Sequence, residues 1–163
     1  STPLYSSAAS DVYKRQLSGG GLSMKSVQYF NFENSLAALD FYEKNLGATD
    51  IQRIGGDHEM FEDMPEEFQV EKNFTMNASF KVLGETFYCS DTWKNKKIDN
   101  SGAIVTFTFD HSNEADKQLA IDFFNNAIAA GCEEAMPLGK TEWSELYGMF
   151  NDPFGITWMI NAE

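Results

Sequence analysis

Apolar and polar positions alternate with two different periods along this chain, and the switches between them outline its elements. The run "VQYFNF" from Val27 to Phe32 carries the strand formers Val, Tyr and Phe. Behind it Leu36, Leu39, Tyr42 and Leu46 recur at helical spacing, with Asn34 placed to cap the helix and Gly47 to end it. A strand over Ala48 to Ile54 follows, and "FTMNASFKVLGETFYCSD" then predicts two strands around a Leu83-Gly84-Glu85 turn.

The second half repeats this order. "AIVTFTFD" from Ala103 reads as a strand, and a helix is predicted from about Asn113 to Ala130, with Ala115, Leu119, Phe123 and Ala127 on one face and Gly131 at its end. Strands over Glu133 to Met136, Tyr147 to Asn151 and Ile156 to Ile160 complete the set, the last two joined by the "DPFG" turn. "FYEKNLGA" is echoed by "FFNNAIAAGC", which fits an internal duplication with the polar stretch from Lys94 to Gly102 as the joint.

Strand parity sorts side chains between faces, because neighbours along a strand point to opposite sides. Met76, Ala78, Phe80 and Val82 share one face, and Thr75, Asn77, Ser79 and Lys81 the other; Val105, Phe107 and Phe109 oppose Thr106 and Thr108. A sheet with one apolar and one semi-polar face is either half exposed or curved around a wet cavity.

The bulk numbers narrow the class. The 163 residues suit one domain, 42% of them are hydrophobic, and no apolar run is long enough to cross a bilayer. A formal net charge of −13 repels phosphate backbones and anionic lipid surfaces, which argues against nucleic acid and membrane as partners. Lys94, Lys96 and Lys97 lie among polar residues and read as a solvated linker. Cys89 and Cys132 lack C-x-x-C spacing, so reduced, packed thiols in a cytoplasmic protein are expected. Residues 1–23, rich in Ser and Gly and without hydrophobic periodicity, read as a disordered tail of vector or adaptor character, with Met24 as the natural start and residues 24–163 as the domain.

"ALDFYEKNLGA", the strand pair ending in "CSD" and the closing "TEWSELYGMFNDPFGITWMIN" together resemble the PhnB-like branch of the vicinal oxygen chelate superfamily, which includes glyoxalases, bleomycin-resistance proteins and extradiol dioxygenases. The specific part is the last motif, with Trp143, Tyr147-Gly148, Asp152-Pro153-Phe154-Gly155 and Trp158-Met159-Ile160-Asn161. The resemblance implies an α+β fold of two βαβββ modules, residues 25–91 and 102–161, whose mixed sheets form a U-shaped cavity completed in a homodimer. The polar sheet faces would line that cavity, making Tyr29, Asn31, Thr75, Asn77, Ser79, Thr106, Thr108 and Met159 candidate ligand contacts, with Trp158 as core. Trp143 and Tyr147 are further candidates, at a pocket, at a dimer contact or in plain packing.

Enzymes of the superfamily hold a divalent metal there with His, Glu or Gln. At the matching positions this chain has Met159 on the last strand, Val27 or Gln28 on the first and Asn77 on the third. Methionine and valine are poor ligands for a hard divalent ion, so no metal and no cofactor are expected. His58, among Asp57, Glu59, Glu62 and Asp63, is the alternative route to a metal, though an acidic solvated loop is the much commoner account of such a stretch; His111 beside Asp110 reads as a cap or a solvent-exposed residue. Nucleophile elbows, phosphate loops and zinc-binding helices are missing from the sequence, and Glu142 with Glu145 is the weak candidate for acid–base work.

The sequence thus points to a cytoplasmic, homodimeric, metal-independent protein that binds a small organic molecule, with catalytic residues unknown. A metal-dependent lyase, isomerase or dioxygenase built on His58, and a partner-binding module with a vestigial cavity, are the alternatives.

Overall fold

The computed structural model describes residues 24–93 and 96–163, so the predicted tail over residues 1–23 lies outside the described residues. The first half runs β1 (Gln28–Phe32), α1 (Ser35–Asn45), β2 (Thr49–Gly55), β3 (Thr75–Val82) and β4 (Glu85–Asp91). The second runs β5 (Ile104–Phe109), α2 (Glu114–Ala129), β6 (Glu133–Gly139), β7 (Tyr147–Asn151) and β8 (Thr157–Ala162). Each half forms a four-stranded mixed sheet, in the orders β1-β4-β3-β2 and β5-β8-β7-β6. The first and last strands of each half, β1 with β4 and β5 with β8, pair in parallel. This is the α+β arrangement of two βαβββ modules.

Local chemistry fixes the boundaries. The Asn34 side chain accepts from the Ala37 N–H and starts α1, and Asn113 accepts from Ala115 and Asp116 to start α2. Gly47 and Gly131 follow the two helices with φ of +65° and +96°, a backbone setting that carries no penalty without a Cβ. Leu83 and Gly84, at φ of 49° and 83°, make the two-residue turn between β3 and β4.

One core runs through both modules. Trp158, fully buried on β8, has its ring 6.1 Å from Phe30 and 5.7 Å from Tyr42 and Phe87 of the first module, and 6.0 Å from Phe123 of its own. Among the described residues no helix is long and apolar enough to cross a membrane.

The helix faces match the periodic reading at Leu39, Tyr42, Leu46, Phe123 and Ala127 and differ from it elsewhere. On α1 the buried residues are Ser35, Ala38, Leu39 and Tyr42, and Leu36 is exposed. On α2 they are Ala120, Phe123, Phe124 and Ala127, with Ala115 exposed and Leu119 56% exposed. Small residues let each helix sit close to its sheet, and the bulky leucine beside them turns outward. Thr75 is also corrected. It is fully buried, its N–H donating to Asp91 Oδ2 at 2.9 Å and its hydroxyl oxygen accepting from Arg53 Nε at 2.8 Å. A register shift between Ile54 and Gly55, where β2 pairs with β3, displaces Thr75 from the face that Asn77 and Ser79 share.

Candidate functional site

Turned away from the core, the first sheet presents Tyr29 and Asn31 on β1, Tyr88 and Ser90 on β4, and Asn77 and Ser79 on β3. Tyr29 pairs with Tyr88, which pairs with Ser79, and Asn31 pairs with Ser90. Side chains link across these pairs. Asn77 Nδ2 donates to Tyr29 Oη at 3.4 Å, Ser90 Oγ donates to Asn31 Oδ1 at 3.2 Å, and the two tyrosine rings meet edge-on at 6.3 Å. The structure therefore brings four of the predicted contacts, Tyr29, Asn31, Asn77 and Ser79, onto one face. Tyr88 and Ser90 join them. Parity within "FYCSD" puts both on that face, opposite the buried Phe87, Cys89 and Asp91.

The second sheet carries four more, Thr106, Thr108, Tyr147 and Met159, and Trp143 lies in the loop before β7. Thr106 and Thr108 on β5 pair with Met159 and Asn161 on β8, and Thr106 Oγ1 lies 3.5 Å from Met159 Sδ. Tyr147, itself buried, meets the ring of Trp143 edge-on at 5.6 Å, and Trp143 is 64% exposed. Strand register adds a feature that the sequence scatters over three segments. Met159 pairs with Met149, and Met149 with Met136, so three half-buried thioethers cross the sheet in line beside Thr106. Asn161 pairs with Thr108 and Tyr147, and its Oδ1 is buried without a hydrogen-bond donor. It lies two residues beyond Met159, and that spacing is the signal that would have flagged it.

The predicted contacts also border cavities. Thr106 and Thr108 edge one of about 500 Å³ between the modules, with Gln28, Thr86 and Phe87 opposite. Ser79 edges one of about 360 Å³ and Asn31 one of about 320 Å³.

The donor set can be tested against a divalent metal. Val27 precedes β1 in the same parity as Tyr29 and Asn31, whereas Gln28 shares parity with the buried Phe30 and Phe32. The three matching positions on the outward faces are thus Val27, Asn77 and Met159, without a carboxylate or imidazole among them. Among the described residues no group of three or more His, Cys, Asp or Glu is placed to hold a metal ion. These residues do not fit a hard cation.

His58 caps a short turn of 3-10 helix, Glu59–Phe61, and its Nδ1 accepts from the Met60 N–H at 3.2 Å. His111 is exposed, with Nδ1 2.8 Å from the Glu163 carbonyl oxygen. Glu145 receives Lys140 Nζ at 2.8 Å, and this contact holds its carboxyl below the usual range. Glu142 and Glu145 are both exposed on the loop before β7.

A different carboxylate is the electrostatic centre of the fold. Asp152, in the turn between β7 and β8, accepts from Tyr42 Oη at 2.5 Å, Trp158 Nε1 at 2.9 Å, and the N–H groups of Phe154 and Ile156 at 2.8 and 3.0 Å. Burial raises its pKa above the ordinary value, although all four donors oppose that shift. The same burial pushes the Cys89 thiol up to about 12 and the Cys132 thiol to about 11.

With this geometry in place, the likeness to known proteins is specific. The family model of the Glyoxalase/Bleomycin resistance protein/Dioxygenase superfamily matches residues 33–160. Protein YjdN of Escherichia coli (strain K12) is 25% identical over 141 residues, spanning 82% of this chain and 92% of that protein. The crystal structure of PA1353 from Pseudomonas aeruginosa has a TM-score of 0.65 and 30% identity, covering 86% of this chain and 98% of that one. The PhnB protein from Bacillus cereus shares the fold at a TM-score of 0.56 and 23% identity, covering 86% of this chain and 100% of that one.

Proposed function

The chain belongs to the glyoxalase/bleomycin resistance protein/dioxygenase superfamily, and from that premise we propose that it binds a small organic molecule on the outward sheet faces without recruiting a metal. One observation carries the reading: Met159 occupies the position where the superfamily pattern would place a carboxylate, and it continues into the line of Met149 and Met136. Thioethers are soft, polarizable and adaptable, suited to an apolar or aromatic body and unsuited to a hard cation. Around them Tyr29, Asn31, Asn77, Ser79, Thr106 and Thr108 offer hydroxyl and amide groups that fix orientation by hydrogen bonds. The preferred ligand is therefore an organic molecule with an apolar body and a few polar substituents, held in a cytoplasmic protein.

Large exposed apolar side chains, Ile104 on β5 and Trp143 in the loop before β7, favour a second copy of the chain as the element that completes the site. Native mass spectrometry of freshly purified protein reads subunit number and bound organic mass together. Elemental analysis and methionine methyl NMR complete the test. The reading expects substoichiometric metal, and organic ligands that shift the methyls of Met136, Met149 and Met159. Stoichiometric manganese, iron, nickel or zinc that survives dialysis and is lost in His58→Ala would overturn it in favour of a metal-dependent enzyme.

A further inference from the structure

Away from the outward sheet faces lies a cavity of about 850 Å³ that is lined by none of the candidate ligand contacts. Its walls come from the β1–α1 junction, the end of β4 and the long connection between β2 and β3. Three aromatic side chains dominate it. Phe74 and Trp93 meet at 4.9 Å between ring centroids, and both Trp93, 47% exposed, and Phe68, 52% exposed, leave much of their rings to solvent. Leaving that much ring area wet is unfavourable unless something covers it.

The charged side chains among the described residues that line the cavity share one sign. Glu33, Glu67, Glu71 and Asp91 line the cavity, and no Lys or Arg is among its described lining residues. Asp91 forms part of the floor. It is 8% exposed, and its two oxygens accept from the N–H groups of Ser35 at 2.6 Å and Thr75 at 2.9 Å, so among the described residues its charge is met by backbone dipoles and no cation. Aromatic faces attract cations through their quadrupole, and carboxylates at the rim strengthen the same preference.

The wall is built to hold its place. A Cβ on Gly56 would lie 2.0 Å from the Glu71 carbonyl oxygen, so only glycine admits this close approach. Gly56 N–H also donates to the Phe74 carbonyl oxygen at 2.9 Å, and Phe74 N–H to that of Glu71 at 2.9 Å. Arg53 Nη2 reaches the Phe74 carbonyl oxygen at 3.0 Å. The connection is thereby pinned to the sheet on the stretch that supplies Val70, Glu71 and Phe74 to the cavity.

We propose that this aromatic, acid-rimmed cavity is a second binding site whose ligand is a small organic ammonium ion, with Trp93, Phe74 and Phe68 contacting its alkylated cationic head. The site is independent of the sheet-face reading, because it shares no residue with it. A negative rim disfavours anionic ligands there, and the aromatic faces favour a dispersed alkylammonium charge over a compact metal cation.

The test uses ¹⁵N-labelled full-length protein, choline chloride as probe and its uncharged isostere 3,3-dimethylbutan-1-ol as control. Choline should give saturable shifts at the Trp93 indole N–H and at the Phe68 and Phe74 amides, with the alcohol at least about tenfold weaker. The Glu67→Gln/Glu71→Gln double variant changes two exposed side chains, and it should weaken choline about fivefold while leaving the alcohol unchanged. Equal affinity for both probes, a double variant that binds choline as wild type does, or no saturable shift at Trp93 would each overturn the proposal. Methionine methyl shifts on the second sheet report the other site, so the two readings fail separately.

Discussion

Changing Tyr42 to phenylalanine removes one oxygen from the place where the two modules are tied together. Tyr42 is fully buried on α1, and its hydroxyl donates to Asp152 Oδ2 at 2.5 Å, with Trp158 Nε1 bonding the same oxygen at 2.9 Å. The ring stays, so its packing against Phe32, Phe80, Phe154 and Trp158 is kept. What is lost is one hydrogen bond to a buried carboxylate, a contact worth about 1.5–3 kcal/mol. A midpoint near 2 kcal/mol corresponds to a fall in Tm of roughly 4–8 °C for a domain of this size. Equilibrium urea unfolding at pH 7 would show a lower midpoint with an unchanged m-value, since no additional surface is exposed. A cycle with Asp152→Asn should return a coupling of about 1–3 kcal/mol between the two positions. A Tyr42→Phe variant within about 0.5 kcal/mol of wild type, or a coupling near zero, would refute the assignment of this contact as the clamp between modules.

The pH dependence of stability supplies a second expectation. Asp152 has its pKa raised in the folded chain, so in the window between its unfolded and folded values the native state holds more protons. The contribution of this group is therefore complete below the unfolded pKa and falls away as pH rises through the folded one. In urea titrations against pH, Asp152→Asn should lose that downward slope; an identical slope in the variant would count against it. Cys89 and Cys132 are buried with thiols pushed up to about 12 and about 11, so native protein should resist alkylation at pH 8 by at least about a hundredfold relative to urea-unfolded chain, read by intact mass. On α2, Phe124→Ala should cost about 3–5 kcal/mol, because its ring packs on Phe150 at 5.7 Å, whereas the outward Leu119→Ala should stay within about 0.5 kcal/mol. The reverse ranking in thermal melts would show that the helix is seated differently.

Element order was legible because strand and helix periods alternate cleanly, and because Asn34, Gly47, Gly84 and Gly131 stand at turns and caps. Helix rotation was legible only in part: Leu39, Tyr42, Phe123 and Ala127 are buried as the spacing predicts, while Leu36, Ala115 and Leu119 are not. Hydropathy weights Leu36 and Leu119, but contact with a sheet rewards small side chains such as Ser35, Ala38 and Ala120, which a hydrophobic pattern barely registers. Parity placed Asn77, Ser79, Thr106 and Thr108 correctly until a register shift intervened at Thr75. The line of Met136, Met149 and Met159 depends on cross-strand register between segments far apart in sequence, so local periodicity has no means of showing it. The aromatic cavity depends on an irregular connection with no period at all.

The same logic explains how a chain with so many carboxylates builds its interior. Most of the 25 acidic residues read as solvated charge, yet Asp91 and Asp152 are buried among the described residues and neither is in an ion pair there. Each is stabilised by fixed N–H and O–H donors instead. Asp91 takes backbone N–H groups from the start of α1 and the start of β3, and Asp152 takes Tyr42 from the first module while capping its own turn. A cation at either place would bring an added desolvation cost, whereas backbone donors are already part of the fold. Because backbone donors are immobile, the two aspartates also fix where the segments they join can lie. Asp91 thereby sets the floor of the aromatic cavity, and Asp152 sets the seat of Trp158 between the two sheets.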